Sequence, residues 1–170
     1  MDPFFAWIED SALSTWIRET PSIFAYPAII TLHTIGMGFL AGGSMAIDLR
    51  ILGFAPRMQL APMRKFFLVL WLALAVNAVS GTLLLIAYPT KALTNPVFYL
   101  KLVLIAVAVV VLRRIEREVF DDASVDQRPL ATKVRVLAAV SLLSWVATIT
   151  AGRLLAYTYR WEMLGIRAIT

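Results

Sequence analysis

Cysteine is absent from this 170-residue sequence, and histidine occurs once, as His33. The lack of cysteine excludes disulfides, thiolate metal sites, cysteine nucleophiles and thioether-linked haem. The motifs G-x-x-x-x-G-K-[ST], G-x-S-x-G, H-E-x-x-H and G-x-G-x-x-G are missing as well. Nothing in the sequence therefore indicates phosphoryl transfer, hydrolysis or dinucleotide chemistry, and we expect a protein that is not an enzyme.

Charge is scarce too, since 16% of the residues are charged and 60% are hydrophobic. Four long apolar stretches have no carboxylate in their middles, and residues 66–87 are interrupted by one strongly polar residue, Asn77. A hydrocarbon core of ~30 Å requires about 20 apolar residues in a helix. The sequence thus predicts an all-α integral membrane protein, an antiparallel four-helix bundle that forms a single domain over residues 1–170.

The four predicted spans cover residues 27–49, 66–88, 97–112 and 134–159. The third follows Asn95-Pro96, a sequence typical of a helix start. The pattern of residues 3–19 predicts one amphipathic helix, and the aromatic residues of this helix favour the membrane–water boundary. The alternative is a plug that packs against the end of the bundle.

The distribution of basic residues predicts the orientation of the chain. A net charge of +5 could indicate nucleic acid, but the basic residues flank apolar spans, so we expect lipid and no nucleic acid as partner. The loops after the first and third spans carry ten basic residues, and the other end carries six. The positive-inside rule then places both termini in the periplasm, if the membrane is a bacterial inner membrane.

His33 lies inside the first predicted span and has two interpretations. An imidazole in a bundle can form a structural hydrogen bond to a neighbouring helix, or it can be an axial haem ligand or a titrating group. At ~100° per residue, Gly36 and Met37 share its helix face. A glycine there would let a flat macrocycle approach the backbone, and Met37 is the candidate for a further ligand.

Antiparallel spans bring Arg153, Lys101 and Tyr157 to the same end as His33. Two cations beside a histidine suit the two propionates of a porphyrin. The alternative for Lys101 is that it extends to the lipid boundary. The predicted cofactor is haem b with its iron on His33, and the predicted cofactor-binding residues are His33, Gly36, Met37, Lys101, Arg153 and Tyr157.

Two further features have structural interpretations. Asp48, at the end of the first span beside Arg50, predicts a helix-end ion pair or a clamp on the following loop. Gly38 and Gly42 form a G-x-x-x-G pair, which predicts close helix packing within the bundle or between protomers.

Several segments together resemble a bacterial inner-membrane family of unknown function with four spans. The sequence is also loosely similar to copper-resistance protein D and cytochrome b561-like proteins, a resemblance that implies haem binding between helices. The segments that carry the resemblance are Tyr26-Pro27, Leu32-His33, Asp48-Leu49-Arg50, Ser80-Gly81-Thr82, Asn95-Pro96-Val97 and Ala151-Gly152-Arg153.

Three functions remain as hypotheses. The first is a small membrane cytochrome-like electron-transfer subunit that binds haem b near the outer face. The second is a non-catalytic accessory or scaffold subunit, in a homo-oligomer or a larger membrane complex. The third is a small-molecule or metal permease, which is less favoured because the membrane spans lack a second carboxylate beside Asp48.

Overall fold

The computed structural model of the protein describes residues 3–121, 125–127 and 129–163. This described part is all-helical and contains no strand, which confirms the predicted fold class. Two short 3₁₀ turns cover Ala61–Lys65 and Val125–Gln127. The α-helices are α1 (Pro3–Glu9), α2 (Ala12–Glu19), α3 (Tyr26–Ile51), α4 (Phe66–Ala87), α5 (Pro89–Leu93), α6 (Pro96–Phe120) and α7 (Thr132–Met163).

Four helices among the described residues, α3, α4, α6 and α7, are long and apolar enough to cross a membrane. Their exposed surface is apolar: Leu68 and Leu143 are each 68% exposed, and Val103 is 60% exposed. Such side chains on every side of a bundle require lipid rather than water as the surrounding solvent. The protein is therefore a multi-pass membrane protein.

Proline and asparagine set the helix ends as the sequence predicts. The Asn95 side chain accepts a hydrogen bond from the Val97 amide at 2.9 Å and caps α6, with Pro96 in the first turn. α4 ends just before Pro89, because the residue preceding a proline disfavours helical geometry. α6 continues past the predicted end at residue 112 because Ile115 remains buried on its inner face.

The predicted helix over residues 3–19 is two helices. The chain breaks after Glu9, and the Ser11 side chain then accepts a hydrogen bond from the Ser14 amide at 3.3 Å. This cap starts α2 in a new direction. The sequence-based expectation of one continuous helix is wrong because a serine that can cap a helix competes with helix continuation.

α2 packs against the end of the bundle, as the plug interpretation requires. Ile17 is fully buried in a cluster with Ile29 and Ala87. The Ser14 hydroxyl donates a hydrogen bond to the Ala87 carbonyl at 3.4 Å. Trp7 of α1 remains 73% exposed, so the same segment also presents aromatic surface suited to a membrane boundary.

In the bundle, α4 packs on α3, α3 on α7, and α7 on α6. The core residues Leu40, Leu70, Leu112 and Trp145 come one from each long helix and are almost completely buried. We call the end of the bundle that carries α1, α2 and α5 the terminal end. The opposite end, with loop residues 52–65 and the short 3₁₀ turn Val125–Gln127, is the basic end.

α4 and α6 meet at the basic end. The rings of Phe67 and Phe120 lie 5.0 Å apart between centroids. The Trp71 indole donates a hydrogen bond to Glu116 at 3.2 Å, and the Arg113 guanidinium lies 4.9 Å from the centre of the Trp71 ring. These contacts hold two helices together at one end, and the helices leave space between them at the other.

The basic-end loop is tied down by two polar clamps. Asp126 accepts hydrogen bonds from the Leu60 amide at 2.7 Å and the Ala61 amide at 3.0 Å. Desolvation raises the pKa of Asp126, but these two amides and the charge of Arg50 outweigh it and hold the pKa below its usual value. Arg50 also donates to the Met58 carbonyl, which confirms the loop clamp predicted beside Asp48.

Glycine allows α3 and α4 to approach each other closely at two positions. A Cβ added at Gly36 would overlap the Asn77 side chain, and one at Gly43 would lie 2.7 Å from Leu70 Cδ2. Gly38 and Gly42, in contrast, have nothing within 4 Å of an added Cβ among the described residues. The G-x-x-x-G pair therefore faces outward, so of its two predicted roles, packing between protomers remains.

Substitution of Gly36 by alanine should destabilise the bundle, whereas the same substitution at Gly38 should not. Overpacking of a tight contact costs about 1–3 kcal/mol, while alanine gains about 1 kcal/mol of helix propensity over glycine. We expect a lower thermal midpoint in detergent for Gly36→Ala and an equal or higher midpoint for Gly38→Ala. Equal midpoints for the two variants would contradict the packing described for α3 and α4.

Candidate functional site

A cavity of about 680 Å³ lies at the terminal end of the bundle. α4 and α6 form its walls, α3 and α7 contribute to its inner surface, and α5 lies at its mouth. Most lining side chains are apolar. Ligand pockets in proteins commonly measure about 300–1,000 Å³ and combine apolar walls with a few polar groups. The cavity therefore has the size and character of a cofactor or small-molecule site.

His33 lies half-buried at the edge of this cavity, and Ser80 of α4 contacts its ring. The Ser80 hydroxyl lies 3.0 Å from Nδ1 and 2.6 Å from the Val76 carbonyl oxygen. With its single hydrogen on the carbonyl, which is the shorter of the two contacts, Ser80 accepts a hydrogen bond from Nδ1 of the neutral ring. In that tautomer Nε2 has the lone pair that can bind a metal or accept a proton.

Gly81 provides the space that the imidazole occupies. A Cβ added at Gly81 would lie 3.3 Å from His33 Cε1, which is tighter than ordinary side-chain packing. The sequence predicts a different role for Gly36, on the same helix as His33, which is to let a flat macrocycle approach the backbone. That prediction is wrong, because Asn77 fills the space beside Gly36.

Two lysines contribute positive charge to the cavity lining. Lys101 extends toward α7, where its Nζ lies 3.8 Å from the position of a Cβ at Gly152. Lys91 of α5 lies over the Tyr88 ring, 5.9 Å from its centre. Both lysines line the cavity, and each can pair with a carboxylate or phosphate of a bound molecule.

Asn77 supplies a buried acceptor on the cavity wall. Its amide nitrogen donates to the Ala73 carbonyl at 3.0 Å, whereas Oδ1 has no hydrogen-bond partner among the described residues. A buried unpartnered carbonyl is costly unless something donates to it. Asn77 Oδ1 is therefore a candidate contact for a ligand group with an N–H or O–H.

The structure brings half of the predicted site residues together. His33, Met37 and Lys101 line the cavity. Within the described part of the chain, Gly36, Arg153 and Tyr157 lie outside the lining: Gly36 is buried against α4, and the other two side chains are exposed. The predicted role of Arg153 with a propionate stays a prediction, and the cavity favours Lys91 for it.

Sequence reasoning missed Lys91, Gly81 and Asn77 as site residues. Lys91 belongs to the short helix that Pro89 starts across the end of the bundle, and this placement turns a loop lysine toward the cavity. A lysine two residues after a span-ending proline was the available signal. No group of three His, Asp or Glu side chains placed to hold a metal ion together occurs in the residues that the structure describes.

The fold and the cavity define a four-span helical membrane protein with a histidine-lined cavity between its helices. The chain belongs to a family of unknown function, DUF6644, whose model matches residues 4–158. No curated protein and no solved structure matches the chain. Membership in a family of unknown function is thus confirmed, while the similarity to copper-resistance protein D and cytochrome b561 has no named relative to support it.

Proposed function

We propose that the protein is a small membrane cytochrome-like electron-transfer subunit that binds haem b in the terminal-end cavity. The observation that carries this proposal is the 3.0 Å contact between His33 Nδ1 and the Ser80 hydroxyl, which favours one tautomer of the ring. A histidine that donates through Nδ1 and leaves Nε2 bare is the form that ligates haem iron, and the hydrogen-bonded partner also orients the ring. The Ser80 hydroxyl supplies that partner.

The cavity supports the same proposal through its size and its charge. A volume of about 680 Å³ bounded by apolar side chains suits a flat hydrophobic macrocycle. Lys101 and Lys91 in the same lining would balance the two propionates, which otherwise would be costly to bury in a membrane protein.

Haem in a single protomer would have one protein ligand on its iron. Met37 lies one turn from His33 on α3, so both side chains approach from the same helix. His33 would therefore hold the iron, and Met37 would contact the macrocycle from the same helix.

The distribution of positive charge supports an orientation with the cavity near the outer face. The basic end carries most of the lysines and arginines and would lie in the cytoplasm by the positive-inside rule. In a bacterial inner membrane, both termini would then lie in the periplasm.

A membrane-impermeant thiol reagent should label a cysteine introduced at Thr94 in intact cells and spare one at Gln59; the reverse pattern would refute this orientation.

A second candidate function is an accessory subunit of a homo-oligomer or a larger membrane complex. The outward face of α3 at Gly38 and Gly42 favours it, since nothing among the described residues lies within 4 Å of an added Cβ there. Small residues on a lipid-facing surface let a second helix approach closely. A Gly38→Leu variant that keeps its oligomeric size on native gels would argue against this role.

Purified protein from haem-supplied cells should show a Soret band with about one haem per chain. His33→Ala should lose it, because the chain has no other histidine to take its place. Retention of the band in His33→Ala, or its absence from well-folded wild-type protein, would exclude haem binding at this site.

Ser80→Ala should retain haem with an affinity lowered about 10- to 100-fold, the usual effect of removing the partner of a metal-bound histidine. Ser144→Ala is the matched control, because the Ser144 hydroxyl donates to the Val140 carbonyl at 2.7 Å and lies on α7, away from His33. Haem titration of the two apoproteins measures the difference. Equal affinities would show that Ser80 does not support the ligand.

Lys101→Met should weaken haem binding about tenfold or more, since a charge-assisted hydrogen bond is worth about 1.5–3 kcal/mol. Arg153→Met should have little effect, because its side chain is exposed and points away from the cavity lining. The same haem titration compares them. A larger loss of haem affinity in Arg153→Met than in Lys101→Met would show that Arg153 pairs with a propionate, as the sequence predicts, and would contradict the role given to Lys101.

A further inference from the structure

A second polar site lies between α3 and α7, on the basic-end side of the cavity. Asp48 is fully buried, and neither of its carboxylate oxygens has a hydrogen-bond partner among the described residues. The Ser141 hydroxyl of α7 is the described polar group that interacts with this carboxyl, through a contact weaker than an ordinary hydrogen bond. An ionised carboxylate left alone in a protein interior costs far more than one that is paired.

Hydroxyl groups near Asp48 behave differently from those on the lipid-facing surface. The exposed threonines Thr31, Thr34 and Thr150 each donate to the carbonyl of the preceding turn, at 2.7 to 2.9 Å. Ser44, Ser141 and Thr148 are fully buried, and within the described part of the chain their hydroxyls form no hydrogen bond to their own helix.

The helix geometry brings three of these groups to one place. Ser44 precedes Asp48 by one turn of α3, a rise of ~6 Å. α7 runs antiparallel to α3, so Ser141 lies level with Asp48, and Trp145, which also lines the cavity, lies level with Ser44. Thr148 is a further turn away, too far to share a ligand with Asp48. The close set is one carboxylate and two hydroxyls.

We propose that Asp48, Ser44 and Ser141 form a buried binding site for a small monovalent cation of the sodium type. Carboxylate and hydroxyl oxygens are hard ligands that suit hard cations. One monovalent cation balances the charge of the single carboxylate, whereas a divalent cation would need a second carboxylate. The described residues offer no basic side chain as an ion-pair partner for Asp48. This site is separate from the haem site and does not depend on it.

Equilibrium dialysis of the purified full-length protein against radioactive sodium chloride tests the site directly. Wild-type protein should bind about one sodium per chain, in competition with unlabelled sodium chloride and without competition from choline chloride. In thermal unfolding at constant ionic strength, replacement of choline by sodium should raise the midpoint, because a ligand that binds the folded state stabilises it. A wild-type protein that binds no sodium and whose midpoint ignores it overturns the proposal.

Variants locate the site. Asp48→Asn should remove the sodium response while it keeps the shape of the side chain, and Ser141→Ala should raise the half-effective sodium concentration about tenfold, the loss of one ligand to a charge. Thr150→Ala is the control, since that hydroxyl is exposed and bonded to the Val146 carbonyl. A full sodium response in Asp48→Asn would overturn the assignment. If Asp48→Asn does not fold, Ser141→Ala and the wild-type dialysis decide.

Discussion

The hydroxyl of Ser80 stands between the Val76 carbonyl of its own helix and the imidazole of His33 on α3. When its single hydrogen bonds to the carbonyl, the imidazole donates through Nδ1, and the proposed chemistry of the site follows from that assignment. The same contact joins α3 to α4 at the terminal end, where Gly81 leaves room for the ring. The contact therefore links the packing of α3 against α4 to the protonation of the His33 ring.

Lipid as the surrounding solvent explains where polar groups are satisfied and where they are not. A hydroxyl that faces lipid has only its own helix to bond, and the exposed threonines Thr31 and Thr34 do so. A carboxyl or amide between helices is free of that constraint. Asn77 beside the cavity and Asp48 between α3 and α7 are buried, and their side-chain oxygens form no ordinary hydrogen bond among the described residues.

The length of the apolar runs and the positions of proline and asparagine predicted the spans and most helix ends. Apolar runs of membrane length, Pro89 and the Asn95-Pro96 pair carry that information locally. The face of each helix could not be predicted in the same way. α3 and α4 are apolar on all sides, so their periodicity does not distinguish lipid from core. For this reason the sequence does not distinguish Gly36, which packs against Asn77, from Gly81, which lines the cavity.

Residues near the ends of the spans were harder to place for a different reason. Arg153 and Lys91 both occur near the terminal end, and sequence position alone made Arg153 the better partner for an anion. The direction of a side chain at a helix end depends on how neighbouring segments cross it. The turn at Pro89 carries Lys91 over Tyr88 beside the cavity, and the proline indicates the turn but not its direction.

Nitrogen NMR of the ligand-free protein, prepared with isotope-labelled histidine, measures the central claim most directly. Because His33 is the only histidine, both ring signals belong to it without further assignment. At a pH where the ring is neutral, the account predicts a protonated Nδ1 and a bare Nε2. A ring protonated at Nε2, or one whose signals are unchanged by Ser80→Ala, would contradict it.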